Sequence, residues 1–439
     1  MHRILFLTLL TTTFATAGNS PEMTLAVQFG GPKHDKVRCV NVDSQGNILI
    51  CGEFGAEAAY GTHKISSAGD LDFFVAKLDP QGHALWAHSG GGTKVDRGYG
   101  IAADRDGNVY VTGHSQGGDA KFGDQALPNA GDYDVFVAKY SASGDLLWIK
   151  SDGGPGYDYG HGIAVSPEGK VFVTGAIVAD KIARLFCTCY DGSGQRLWNR
   201  TTEGMARGSG HGVAVDAKGN AYVGGFSSGT GKLGSVELNS PNGQDILVAK
   251  FSSTGEVGWV QQGHGSKTAL IHEISVDEDG YVWACGMFKN APLVLADRTV
   301  ENRGDSDPLL TCIDPEGKRL WTITGGSPKV DYGLGITTDH HGAAVFVGEF
   351  SETFELLGQS MTSKGSTDIF IAGIDRSGAL RWLTQAGGEK GDNSYTATAD
   401  GDGNVLFSGS ITGTANFGSH AVTSNGAQDV YVARISRAK

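Results

Sequence analysis

Seven side chains hold one position of a recurring phrase, two places before the first apolar residue of a repeated strand: Arg38, Tyr99, His161, His211, His272, Leu334 and Tyr395. Three consecutive units therefore offer an imidazole. Three imidazoles whose nitrogens converge on one ion are the ligand set of some catalytic zinc sites. The same position equally suits contact with a polar ligand, or packing between units with hydrogen bonds to Gly-rich loops, so the metal stays open. On any of these readings the residues lie near the mouth of a central channel. Asp35, Asp96, Asp158, Asp331 and Asp392 stand three places earlier. Recurrence in so many units points to a structural duty, a carboxylate accepting backbone N–H bonds and holding a turn.

Other chemistry is thinner. The turns Asp104-Arg105-Asp106-Gly107-Asn108, Asp277-Glu278-Asp279-Gly280 and Asp400-Gly401-Asp402-Gly403-Asn404 look like calcium loops, but Ser115, Phe288 and Ile411 replace the glutamate such a loop needs at position 12. Tight β-hairpins need the same Asp and Gly. Cys39 and Cys51 face each other if Asp43 and Asn47 close the first hairpin, and Cys285 and Cys312 lie on neighbouring strands, so both pairs are candidate disulfides. Cys187 and Cys189 share one strand face, where a direct bond would be strained. No G-x-S-x-G, H-E-x-x-H or P-loop is present. No spacing singles out a carboxylate pair of the glycosidase kind.

The elements that position these residues follow from a repeat. Six of the seven Trp close one phrase, from AKLDPQGHALW at Trp86 through Trp148, Trp198, Trp259 and Trp321 to AGIDRSGALRW at Trp382, at separations of 62, 50, 61, 62 and 61 residues. A second phrase, such as GIAADRDGNVYVTG, occurs seven times on the same beat. Within a unit the apolar period is two. In the second unit Gly100 to Asp104, Val109 to Thr112, Asp134 to Tyr140 and Asp145 to Lys150 read as strands, the first two joined by a tight turn at Arg105-Asp106-Gly107. Units of four short antiparallel strands describe an all-β fold, a β-propeller. Each unit covers its neighbours' apolar faces, so residues 18–439 form one domain of about 61 residues per repeat.

The last unit ends after a third strand, Asp429 to Ile435, while Thr24 to Gly31 lines up with Ala84 to Gly91. The first strand should complete the last blade and close a seven-bladed ring without exposed edges. Between second and third strands most units carry an insert of some 20 residues containing Phe122-Gly123, Tyr60-Gly61, Leu233-Gly234 or Phe417-Gly418. The third unit lacks it, with only Ala176 to Ala183 linking its strands, which reads as a neutral loop deletion first and as a notch in the rim second.

Residues 1–17 read as a signal peptide: His2 and Arg3, the apolar run Ile4 to Leu10, and Ala15-Thr16-Ala17 as a cleavage site. No later stretch is long enough for a transmembrane helix. The formal charge of −13 and the lack of a Lys/Arg cluster argue against nucleic acid. Gly accounts for 68 of 439 residues and Pro for 11. That balance suits many tight turns between strands whose N–H groups must pair.

At these phrases the chain resembles the SBBP β-propeller repeat family, whose units read roughly GG-x-x-x-D-x-G-x-x-IAVD-x-x-GN-x-YVTG followed by D-x-FVAKY-x-x-x-G-x-LLW. The resemblance covers nearly everything after residue 21. It implies an exported bacterial protein, often without assigned activity. The AK-x-D-x-x-G-x-x-x-W phrase also looks like the Trp-docking motif of quinoprotein propellers, which has one more residue between Asp and Gly. A quinone is therefore not carried over, and no cofactor is expected. The expectation is a non-enzymatic, monomeric, secreted, surface or periplasmic scaffold whose loop-rich face binds an extracellular or envelope protein or a glycan. The competing expectation is an extracellular hydrolase, polysaccharide-acting or metal-dependent, with its site at the channel mouth.

Overall fold

Alternating Val, Ile, Phe and Tyr place one set of side chains on each face of a pleated strand, and both faces are covered here. The computed structural model describes residues 21–437 except 266, 297, 340 and 341. The signal-peptide reading of residues 1–17 lies outside the described residues. Within them every regular element is a strand.

In the second unit Asp96–Ala103 pairs with Val109–Gln116, that strand with Tyr133–Tyr140, and that with Leu146–Asp152, all antiparallel. The strands thus run a few residues beyond their expected ends at the Gly-rich side. The turn at Gly107 (φ 78°) is held by Asp104, whose Oδ1 accepts from the Asp106 and Asn108 amides at 3.0 and 2.9 Å. Asp400 does the same for Asp402 and Asn404. These carboxylates are occupied as hairpin braces.

Trp docks one unit on the next. Trp86 Nε1 donates to the Ala142 carbonyl at 3.2 Å, Trp148 to Gly192 and Trp198 to Ser253 at the same distance, and Trp321 to Arg376 at 2.9 Å. The acceptor lies each time in the turn before the next unit's outer strand. A glycine follows two places later because a Cβ at Gly144 or Gly255 would come within 2.9 or 2.7 Å of the indole.

Each unit's inner strand contacts the next unit's inner strand, and the last of them, Asn393–Ala399, contacts the first, Asp35–Val42. The N-terminal strand Met23–Phe29 pairs with the C-terminal Asp429–Ile435, Phe29 opposite Val430 and Gln28 opposite Tyr431. Ser89 and Gly90 hold the matching places opposite Phe74 and Phe73. Phe29 therefore corresponds to Gly90, and the alignment of Gly30 with Gly90 is off by one residue. The irregularity between Met23 and Leu25 has its counterpart between Ala84 and Trp86, so the two strands match without a gap once Met23 is set against Ala84.

The inserts are hairpins rather than open loops. Glu57–Tyr60 pairs with His63–Ser66, Lys121–Phe122 with Gln125–Ala126, and Thr414–Phe417 with His420–Thr423. Their glycines turn the chain at positive φ, Gly61 at 59°, Gly123 at 56° and Gly418 at 60°. Tyr60, Phe122 and Phe417 are fully buried between neighbouring units. In the third unit Val171–Ala179 runs straight into Ile182–Tyr190 through a two-residue turn, Asp180 and Lys181 at φ 53° and 64°.

The cysteines carry free thiols. Cys39 does lie opposite Cys51, but the two are not linked. The candidate Cys285–Cys312 bond is also absent, since Cys285 faces Leu310 and Cys312 faces Trp283. The hairpin insert between those strands hid the two-residue offset.

Candidate functional site

All seven register residues sit on β-bulges. The inner-strand ladders skip a residue between Val37 and Cys39, Gly98 and Gly100, Gly160 and Gly162, Gly210 and Gly212, Ile271 and Glu273, Gly333 and Gly335, and Ser394 and Thr396. The skipped residue is Arg38, Tyr99, His161, His211, His272, Leu334 or Tyr395 in turn. A bulge re-aims the unpaired residue out of the ladder, and these seven line one cavity of about 360 Å³. Flanking glycines admit the close approach of the strands: a Cβ on Gly100 or Gly162 would lie 2.6 or 2.7 Å from the His161 or His211 carbonyl oxygen.

The wall of this cavity is a run of stacked rings. The Arg38 guanidinium lies 5.0 Å from the Tyr99 ring and 5.5 Å from that of Tyr395, a cation between two π faces. Tyr99 meets His161 at 4.6 Å, His161 stacks on His211 at 4.6 Å and 25°, and His211 meets His272 edge-on at 5.8 Å. Glu53, itself buried, grips Arg38 with Nε–Oε2 at 2.9 Å and Nη2–Oε1 at 2.5 Å. Burial pulls the guanidinium's pKa down, but the Glu53 charge and hydrogen bonds outweigh it and the net shift is upward. Burial drives the imidazoles the other way: His211 falls to about 4, His272 to about 3, and His161 well below its ordinary value, with help from His211. All three are neutral at pH 7.

The three-imidazole zinc reading fails on geometry. Face-to-face rings at His161 and His211 do not converge their nitrogens on one point, and among the described residues no group of three or more His, Cys, Asp or Glu side chains is placed to hold a metal.

One site residue escaped the sequence reading. Glu273 follows the bulge of the fifth unit, where the second, third, fourth and sixth units have Gly100, Gly162, Gly212 and Gly335. It lines both this cavity and a second one of about 310 Å³ on its far side, so it stands at the waist between them. Burial pushes its carboxyl up to about 7, opposed by one hydrogen bond from the Ile274 amide at 3.3 Å. The break in the glycine pattern was the legible signal.

The Asp register is structural. Asp35, Asp96 and Asp392 are fully buried and accept the amides of Gly31, Gly92 and Gly388 at 2.6, 2.9 and 2.7 Å. A second set, not singled out from sequence, begins the third strands: Asp72 and Asp429 accept from Ala68 and Asn425 at 2.7 and 2.6 Å. The two sets meet across unit boundaries, Asp72 and Asp96 flanking Gly91, Asp429 and Asp35 flanking Gly30. Burial, reinforced by the facing carboxylate, raises Asp35 to about 7 and Asp72 to about 6.

Comparison with known proteins agrees with this architecture. Residues 90–119 match the family model SBBP, described as a beta-propeller repeat. An uncharacterized WD repeat-containing protein of Acanthamoeba polyphaga mimivirus is 24% identical over 155 residues, covering 31% of this chain and 11% of that protein. The chain spans about a tenth of the length of the curated relatives it matches. Among solved structures, polysaccharide lyase Uly1 superposes with a TM-score of 0.50 at 9% identity, over 92% of this chain and 90% of that one. The Pan2 WD40 domain of Neurospora crassa gives 0.49 at 10% identity over 94% and 97%. At such identities the likeness concerns fold alone. Among the described residues no helix is long and apolar enough to cross a membrane. On the family match, the repeated phrases and the all-β ladders together, the chain is a carrier of the SBBP β-propeller repeat.

Proposed function

We propose that the chain is an exported seven-bladed β-propeller of four-stranded blades, one domain over residues 18–439, whose last blade is completed by Met23–Phe29. It acts as a monomeric, non-enzymatic scaffold in the periplasm, at the cell surface or outside the cell. Its ligand, a glycan or a segment of an envelope protein, enters the channel mouth between Arg38, Tyr99, His161, His211, His272 and Tyr395. The leader at residues 1–17 and the contact of last with first inner strand support export and closure.

The observation that carries the binding reading is the stacked wall of the 360 Å³ cavity. It presents the edges of neutral rings whose faces are turned to one another, and one cation fixed by Glu53, and concave aromatic pockets with a few placed polar groups are how proteins hold small ligands. The polar ring edges and the guanidinium suit the hydroxyl or carboxylate groups of a sugar. A glycan array, followed by calorimetry on the hits, tests this. Arg38→Ala and Tyr99→Ala should each weaken binding at least tenfold with unchanged secondary structure. Binding indifferent to both substitutions rejects the site.

Glu273 favours a second reading, a channel hydrolase, because a carboxyl raised to about 7 beside His272 is suited to general acid and base work. Release of reducing sugar by the wild type and its loss in Glu273→Gln would replace the scaffold reading.

A further inference from the structure

Glu273 stands where the channel narrows. The residues at its place in the other six units are Cys39, Gly100, Gly162, Gly212, Gly335 and Thr396, so it is the one carboxylate of that ring. Cys39, Ile163, Val213 and Glu273 line both the 360 Å³ cavity at the mouth and the 310 Å³ cavity beyond it, and these four surround the passage between them. Gly212 leaves room for the carboxyl, since a Cβ there would lie 3.1 Å from Glu273 Oε1.

The protein itself gives this carboxyl little support. Oε1 accepts one long hydrogen bond, from the Ile274 amide at 3.3 Å. Among the described residues nothing donates to Oε2, and no Lys, Arg or His forms an ion pair with either oxygen. The other buried carboxylates are placed differently: Glu53 holds Arg38, and Asp35 and Asp96 accept turn amides. A carboxylate taken out of bulk water without a partner is costly, and four other units do without a side chain at this place.

The partner that fits is a cation on a slender apolar stem. Cys39, Ile163 and Val213 give the waist apolar walls, against which methylenes pack as the stem of a lysine does. The far cavity is lined by the main chain of the inner strands. Asp35–Val42, Asp96–Ala103 and Asn393–Ala399 are edge strands of their sheets, with carbonyls that no further strand takes up, and these can accept a second ammonium. On the mouth side the Arg38 guanidinium repels one, so a longer cation extends into the far cavity. The formal charge of −13 draws cations to the chain.

We infer that the channel waist is a binding site for a free linear aliphatic diamine or polyamine, with one primary ammonium paired to Glu273, the methylene chain against Ile163 and Val213, and another ammonium on backbone carbonyls of the far cavity. An ammonium beside Glu273 favours the charged carboxyl, against the burial that raises it to about 7. The site lies deeper than the ring wall and does not depend on which ligand enters the mouth.

The test is calorimetry on the full chain with cadaverine, in about 0.15 M salt, where loosely held surface cations are screened. A single saturable site is expected. Glu273→Gln, which keeps the shape and removes the charge, should weaken binding at least tenfold. The matching diol, with the same stem and no charge, should not saturate the wild type, and this comparison carries the test if Glu273→Gln does not fold. No saturation by cadaverine up to about 1 mM, the weakest affinity worth assigning to a site, overturns the inference. So does equal binding of cadaverine by Glu273→Gln, or equal binding of the diol. Tighter binding of Nα-acetyl-lysine methylamide than of cadaverine would place a partner's lysine side chain at the waist and overturn the free-amine reading.

Discussion

Phe29→Ala tests whether the two chain ends hold the structure shut. Phe29 is 6% exposed, stacks on Tyr60 at 5.5 Å and 18°, and packs with Phe54, Phe74 and Val430 in one apolar cluster. Its strand pairs only with Asp429–Ile435, so it has one ladder to hold it. Truncating a buried Phe costs about 3–5 kcal/mol. For a chain of 439 residues unfolding as one unit, an unfolding entropy of about 2.1 cal/mol/K per residue gives roughly 0.9 kcal/mol/K. The expected fall in Tm is therefore about 3–6 °C. Leu85→Ala, at a side chain 48% exposed on an equivalent outer strand, is the control and should move Tm by less than about 1 °C. Calorimetry gives the shift, and hydrogen exchange locates it: amides on Asp429–Ile435 should lose protection before those on Asp368–Asp375. A Tm unchanged in Phe29→Ala, or a drop no larger than the control's, would refute the closure. A fall confined to a separate low-temperature transition would show that the units do not unfold together.

Other perturbations read other parts of the fold. Gly91→Ala should destabilise by about 2–3 kcal/mol, since φ is 155° and the new Cβ would lie 2.6 to 2.8 Å from the Asp72 and Asp96 oxygens; urea midpoints check it. Asp35 is raised to about 7 by burial and by Asp429, so the folded chain keeps a proton that the unfolded chain has released. Its contribution is whole below about pH 4 and lost as pH rises through 7. Asp35→Asn should therefore gain on the wild type between pH 5 and 8 in urea unfolding, and a constant difference would contradict the assignment. His211 has the opposite sign: lowered to about 4, it favours the folded chain above about 6.5 and loses that contribution as pH falls toward 4. His211→Phe should flatten the acid limb of the same curves. Ellman's reagent should titrate all six thiols after unfolding without reductant, and fewer would reveal a disulfide.

Much of the fold was legible because period-two alternation and the Trp phrase repeat so often that errors at one unit are corrected by the next. What stayed hidden was register. A one-residue bulge leaves no mark in composition, so the position of Tyr99 and His161 was readable while their aim into the cavity was not. The offset between Cys285 and Cys312 was hidden differently, by the insert between their two strands. Fully buried hairpin tips were also missed as such: Phe122-Gly123 reads as a loop unless one knows that Phe73 and Phe136 wait on either side.

In a repeat, what recurs and what departs carry different information. Asp35 and its counterparts recur, and each accepts a turn-holding amide; Trp recurs, and Trp86, Trp148, Trp198, Trp259 and Trp321 each donate to the next unit's carbonyl. A residue needed equally by several units cannot mark one of them as a site. Departures can. Arg38 is the one cation among the bulge residues, the imidazoles occupy three consecutive units, and Glu273 replaces a glycine that four other units keep. The missing insert of the third unit belongs to the same class. They fall in the first, third, fourth and fifth units, and the imidazole run begins at His161, in the unit that lacks its hairpin.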